Sequence, residues 1–298
     1  MLVASFVFLL VGGSLSAQPD NAFFFVQLSD PQFGFHNGDK DFLQESAAFE
    51  FAIASLNRLK PAFVVVTGDL VNKAGDPAQT AEYLRVAAKL DRSIPLYNLP
   101  GNHDTSSPPT PETLALYREK FGADHYTIRY RDFAGIVLNS GLIANPGAAP
   151  AAAAEQDAWL REELKRVRES GARHVVVFQH DPVFLQRGDE PDQYFNMPLA
   201  KRRPYLDLLK SAGVTHIFAG HLHRNSIGKD GDLEMVVTGP VGRPLGSDPS
   251  GIRVVIVRST GIEHRYYGLG SIPNVIQLGG RAEARPAAGP KPQEGRTQ

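Results

Sequence analysis

The sequence predicts an α/β fold, with a helix-flanked sheet joined to a later antiparallel or mixed strand-rich part. Three observations predict it. From residue 21 onward, short apolar runs alternate with amphipathic stretches of helical period. Five short polar clusters each begin directly after one of the apolar runs. The last predicted strands, 233–237, 253–257 and 262–266, follow one another with no helix between them.

In chain order, 23–28 reads as a strand, and 42–59 has helical periodicity with Asp41 and Gln44 placed to form a capping box. Residues 62–66 are a second strand. Asp76-Pro77 starts a helix with proline at its first position, running to about Leu90. Residues 94–99 are a third strand, and Thr110-Pro111-Glu112 opens another helix. Strands at 126–130 and 135–139 flank Arg131-Asp132. A helix at 156–169 carries the only tryptophan, Trp159, and is followed by strand 174–178, helix 203–211 and strand 214–219. Residues 144–154, rich in Ala, Pro and Gly, read as loose, and the tail 271–298 reads as disordered. One domain over 21–270 results.

The chain has 298 residues, 42% hydrophobic and 21% charged, which suits a soluble globular protein with a buried core. The net charge of −1 gives no support to nucleic-acid binding. A short basic run at Lys201, Arg202 and Arg203 reads as a solvated loop or helix start. With no cysteine, disulfides, thiolate metal sites and cysteine nucleophiles are excluded, so any metal is held by nitrogen and oxygen ligands. Residues 1–20 hold an apolar run over 2–11, then small residues, then a polar stretch, in the order of a secretory signal, although no Lys or Arg precedes the run. Export is the expectation, with no stable membrane association after cleavage. An uncleaved anchor or a misassigned start is the alternative.

The five clusters are Asp30-Pro31-Gln32, Gly68-Asp69, Gly101-Asn102-His103-Asp104, Gln179-His180 and Gly220-His221-Leu222-His223. Ligands of open α/β sheets bind outside the carboxyl ends of the strands, so these clusters should meet on one rim. Singly, each has a plain reading: Asp30 caps a turn before proline, and a lone His180 is a structural histidine. Five such accidents at strand ends are improbable together. Carboxylates, amides and imidazoles in this number suit two divalent ions, bridged by a carboxylate, that acidify a water and bind phosphate oxygens. His103 is the candidate proton donor to the leaving group, with Asp104 to orient or charge it. Phe33, Phe35, Phe184, Tyr194 and Phe195 lie in predicted loops near the rim, where they either line a pocket or pack the loops. Among Arg187, Arg224 and Arg265, Arg224 is the best candidate for substrate phosphate, because it follows His223.

The GD, GNHD and GHxH runs at 68–69, 101–104 and 220–223 resemble the motifs of calcineurin-like metallophosphoesterases, and the resemblance spans roughly 23–269. Stretches at 29–34, 177–180, 192–196, 223–225 and 264–267 are similar to a subgroup described as serine/threonine phosphatases. The resemblance implies a four-layer α/β/β/α sandwich with mixed sheets. It implies that Asp30, Gln32, Asp69 and His223 bind one metal and that Asp69, Asn102, His180 and His221 bind a second, with Asp69 as the bridge. It makes His103 the general acid, supported by Asp104. The ions are two among Mn, Fe, Zn and Mg. The family usually has Asp-x-His where this chain has Asp30-Pro31-Gln32, which implies a looser first metal. The expected reaction is attack of a metal-bound hydroxide on a phosphate monoester, in a phosphoprotein or a small molecule. A phosphodiesterase on nucleotide or lipid diesters and a non-catalytic metal-binding module are the alternatives. His103 and Asp104 speak against the last, since neither is needed merely to hold metal.

Overall fold

A computed structural model of the chain describes residues 22–279. The expected export signal and residues 280–298 of the expected tail lie outside them. The strands in chain order are β1 (Phe23–Leu28), β2 (Val64–Thr67), β3 (Leu96–Leu99), β4 (Tyr126–Tyr130), β5 (Phe133–Val137), β6 (His174–Phe178), β7 (Val214–Ala219), β8 (Ser226–Asp230), β9 (Leu233–Val237), β10 (Gly251–Arg258) and β11 (Gly261–Gly268). The α-helices are α1 (Leu43–Leu59), α2 (Pro77–Ala87), α3 (Asn102–Thr105), α4 (Pro111–Phe121), α5 (Ser140–Ala144), α6 (Pro150–Glu169) and α7 (Leu199–Ser211).

The strands form two mixed sheets, ordered β11-β10-β1-β2-β3 and β4-β5-β6-β7-β9-β8. Pairing is parallel through β1, β2 and β3 in one sheet and through β5, β6, β7 and β9 in the other. The sandwich has the expected four layers because β1 is apolar on both faces. Phe24, Val26 and Leu28 meet Phe49, Ile53 and Leu56 of α1 and Tyr83 of α2 on the outside. Phe23 and Phe25 point inward, where Phe25 packs with Phe133, Phe178 and Phe218 of the second sheet. The outer face of the second sheet is covered by Leu160, Leu164 and Val167 of α6 and by Tyr205, Leu206 and Leu209 of α7.

Several local expectations shift. The Asp41–Gln44 capping box is absent: Phe42 precedes α1 with no side-chain cap, and the Asp41 carboxylate accepts from Leu43 N at 3.2 Å. Asp76 caps α2 as expected, accepting from Ala78 N and Gln79 N at 3.0 Å each. The loose reading of 144–154 gives way to the end of α5, a 3₁₀ turn over Pro146–Ala148 and the first turn of α6. Pro150 sits in the first turn of α6, and the alanines after it are the strongest helix formers. Helix α7 starts four residues earlier than read, because Pro204 lies inside it and not at its start. Residues 271–279, the beginning of the expected tail, run along the outer core, where Ile272, Ile276 and Leu278 pack.

Candidate metal and phosphoester site

The parallel strands of both sheets end on one rim. Asp30 and Gln32 follow β1, Asp69 follows β2, Asn102 and His103 open α3 after β3, His180 follows β6, and His221 and His223 follow β7. Backbone bonds tie these ends together: Asp30 N donates to Gly68 O (3.1 Å), Gln32 N to Asp69 O (2.8 Å) and Gly220 N to His180 O (3.0 Å). His221 N donates to the Asp30 carboxylate at 3.2 Å. The two sheets meet where His180 Nε2 lies 3.3 Å from Asp69 Oδ2.

Five of these residues, Asp30, Gln32, Asp69, His221 and His223, hold left-handed backbone, with φ from 41° to 67°. A non-glycine residue in this region costs of order 1–3 kcal/mol and persists only when its surroundings impose it. Such strain concentrated on one rim marks side chains aimed for a purpose other than packing. The motif glycines make room for this. A Cβ at Gly101 would sit 2.2 Å from Asp69 Oδ1, and one at Gly220 would sit 1.9 Å from Ser29 Oγ and 2.6 Å from Asp30 Oδ2.

Backbone carbonyls select the histidine tautomers. A carbonyl only accepts, so each ring bound to one through Nδ1 carries its hydrogen there and leaves Nε2 for the site. Thr67 O takes His180 Nδ1 at 2.9 Å, Asn72 O takes His103 Nδ1 at 2.7 Å, and Arg243 O takes His223 Nδ1 at 2.7 Å. The free Nε2 of His180 then faces Asn102 Oδ1 at 3.0 Å and the Asp69 carboxylate, and that of His223 faces Asp30 Oδ1 at 3.4 Å. Lone pairs this close require a positive charge between them, either a proton or a metal ion.

The titration shifts express the same demand. Burial opposes charge on His180, but the Asp69 carboxylate outweighs it and holds the ring well above the usual histidine range. Burial and Asp30 compete in the same way at His223, with a net rise. Burial resists ionisation of Asp69, yet His180 holds it below the ordinary carboxylate range. Burial lowers His221.

Two overlapping groups result, Asp69-His180-His221 and Asp30-Asp69-His223, each with ligand atoms within 4.8 Å of one another and with Asp69 in common. Asn102 adjoins the first through His180. Gln32 borders Asp69 through its backbone, and its Oε1 is buried without a hydrogen-bond partner among the described residues. An orphaned buried oxygen costs about 1–3 kcal/mol unless something else satisfies it, and a cation does so. The donor set, imidazole nitrogen with carboxylate and amide oxygen, suits divalent metals of the Mn, Fe, Zn and Mg kind.

Asp104 faces away from the role read for it. Its carboxylate accepts from Leu70 N (3.0 Å), Val71 N (3.1 Å) and Gly101 N (2.8 Å), clamping the turn after β2 to the turn after β3. Burial, reinforced by nearby Asp69, pushes its pKa up to about 7 against those three bonds. Its effect on His103 therefore passes through the backbone. Of the loop aromatics, Phe33 and Phe184 are core residues. Phe35 stands 5.2 Å from the His223 ring and 6.4 Å from the His103 ring, while Tyr194 and Phe195 each lie 5.5 Å from His221. Arg187 pairs with Asp189, and Arg265 covers Tyr267. Arg224 is exposed and its stem lies beside Gly246. Arg202, read as part of a solvated run, is buried and donates to Met197 O and Glu190 O, shaping the loop that carries Tyr194.

Two nearby residues escaped the sequence reading. Asp181 lies 3.9 Å from His221 Nε2 and is held by Ser140. A carboxylate directly after His180 at a strand end was its available signal. Arg243 stacks over Phe35 at 5.5 Å and supplies the carbonyl for His223, and nothing in its local sequence announces this.

The calcineurin-like phosphoesterase family profile matches residues 25–225. This chain belongs to that family. Among its relatives is the serine/threonine-protein phosphatase CPPED1 of Bos taurus, 40% identical over 262 residues that cover 83% of this chain and 84% of the relative. The Homo sapiens protein of the same name is 39% identical over 263 residues, with the same coverage. Solved structures of similar fold include GAP50, the anchor in the inner membrane complex of Plasmodium. It has TM-score 0.63 and 15% identity, over 83% of this chain and 85% of that one. The purple acid phosphatase PPD1 of Lupinus luteus has TM-score 0.62 and 14% identity, over 84% of this chain and 52% of that one. As a member of this family with phosphatase relatives, the chain is a metal-dependent phosphatase acting on phosphate esters.

Proposed function

We propose that the enzyme is a two-metal phosphomonoesterase with Asp69 as the ligand common to both ions. One observation carries the proposal: two carboxylate–histidine groups, each within 4.8 Å, share Asp69. Asp30, Gln32, Asp69 and His223 hold one ion, and Asp69, Asn102, His180 and His221 hold the other. Bound divalent ions supply an acidified water as nucleophile and neutralise charge on the phosphate.

The chain's own residues supply the rest. His103 is half-buried, with Nδ1–H fixed on Asn72 O, so Nε2 is the atom that holds and delivers a proton to the leaving oxygen. His103 N also donates to Asp69 Oδ1 at 2.9 Å, coupling the acid to the shared ligand. Asp104 keeps both turns in register. Arg224 is the substrate-phosphate residue, exposed and directly after His223. The substrate class is the phosphoserine or phosphothreonine protein, supported by the names of relatives 36–40% identical along most of their length. The apolar run at 2–11 supports export, in which case the substrates are extracytoplasmic.

The test strips the chain with chelator, restores Mn, Mg, Zn or Fe singly, and compares an aryl phosphomonoester, an aryl phosphodiester and a phosphoserine peptide. Restored monoester and phosphopeptide turnover is expected. Preference for the diester contradicts the monoesterase assignment, and bound metal with no turnover contradicts catalysis.

A further inference from the structure

Gln32 has an unusual problem. A side-chain amide has one end that ligates a cation and one end that repels it, and the two ends have nearly the same shape. An imidazole at this position has no such defect, since either ring nitrogen can be the one without hydrogen. A Gln ligand therefore needs something that tells its oxygen from its nitrogen. Among the described residues only its Nε2 has a partner, Asn72 Oδ1 at 3.3 Å, while Oε1 is buried and unpartnered. That bond is informative only if Asn72, itself an amide, is also oriented.

Asn72 is oriented from outside the site. Its Nδ2 donates to Asp39 Oδ1 at 2.9 Å, and a carboxylate accepts but never donates. Asp39 is fixed in turn. It holds left-handed backbone with φ 65°, its N donates to Gly34 O at 2.8 Å, and Oδ1 also receives Gln79 Nε2 at 2.6 Å. Gln79 cannot flip either, because its Oε1 already accepts from Asn72 N and Lys73 N at 2.9 Å each. A Cβ at Gly34 would fall 2.6 Å from Gln79 Nε2 and 2.7 Å from Asp39 Oδ1, so the loop closes tightly over the chain of amides. The polarity thus runs one way: Asp39 sets Asn72, Asn72 sets Gln32, and the Gln32 oxygen is left over.

We propose that Asp39 is a positioning residue for metal binding, acting through Asn72 to keep the Gln32 amide oxygen, and not its NH2, as the atom offered to the cation. The inference rests on the reading of Gln32 as a metal ligand. Outer partners of metal ligands typically change affinity by 10–100-fold when removed.

The experiment measures Mn(II) affinity of the chelator-stripped full chain by calorimetry, with thermal unfolding recorded beside it. Asp39→Ala should weaken the looser Mn(II) site by about 10-fold or more. Asp39→Asn should restore affinity to within about threefold, because its amide oxygen accepts the same two N–H groups. In a Gln32→His background, Asp39→Ala should change affinity by less than about threefold, since imidazole needs no such instruction. An equal loss in both backgrounds, or no rescue by Asp39→Asn, would overturn the proposal and leave Asp39 a plain loop brace. Unchanged affinity in Asp39→Ala would overturn it as well. Gln32→Ala separates the two levels: unchanged Mn(II) affinity there defeats the ligand assignment itself, whereas weakened affinity with an unaffected Asp39→Ala defeats only the positioning role.

Discussion

The two ligand groups that share Asp69 are built differently. The group around His180 and His221 is nitrogen-rich, and His180 is fully buried against Asp69 and Asn102. The group around Asp30 and His223 is oxygen-rich, with Gln32 in place of a second imidazole and a side-chain oxygen that no described residue satisfies. Borderline metals such as Zn and Fe suit imidazole, whereas carboxylate and amide oxygens suit harder ions such as Mn and Mg. On the proposed two-metal reading, this difference sets a tight ion beside an exchangeable one, with a single carboxylate joining them.

The largest expected break comes at the joint. Asp69→Asn should cost about 10³-fold or more in turnover, since in the proposed two-metal site both ions, and with them several kcal/mol of transition-state stabilisation, depend on it. Steady-state kinetics on a monoester reads this directly. His103→Ala should leave both ligand groups loaded and lower kcat by about 10²–10⁴-fold, with the smaller loss for substrates whose leaving group needs no proton. Retained activity toward a poor leaving group would remove His103 from the acid role. Asp104→Ala should cost about 2–4 kcal/mol of stability in urea unfolding, because three backbone N–H groups lose their acceptor beside Asp69. Gln32→His should erase much of the difference between the groups, tightening Zn at the looser site by about 10-fold.

The smallest effect lies away from the rim. His216 is mostly buried between the sheets, stacked on Phe218, and burial lowers its pKa to about 4. A histidine depressed in the folded state contributes stability above its unfolded pKa and loses it as pH falls toward the folded one. Wild-type stability should therefore drop by roughly 1–2 kcal/mol between pH 6.5 and 5, and His216→Phe should flatten that drop while leaving metal affinity alone.

The layers and the five strand-end clusters were legible because both depend on short-range signals: apolar runs bounded by turns, and metal-type ligands directly after them, with glycine in three of the five clusters. β6, β7 and β9 match their sequence reading residue for residue. β8 was missed because Ser226–Asp230 is an edge strand without apolar alternation. The true partners of Asp104 were illegible for a different reason. Three backbone amides from two separate turns leave no side-chain signature, and neither does Arg243 O beneath His223. The Asp39–Asn72–Gln32 relay joins residues 33 and 40 apart in sequence through amide polarity alone. Periodicity and motif spacing cannot carry that information.

The role we propose for Asp69 is to join two metal ions. Counting bound Mn(II) per chain by elemental analysis, after reconstitution and desalting at a concentration that saturates wild type, tests it most directly. Two ions in wild type and fewer than one in Asp69→Asn is the predicted result. Two ions retained in a folded Asp69→Asn protein would contradict it.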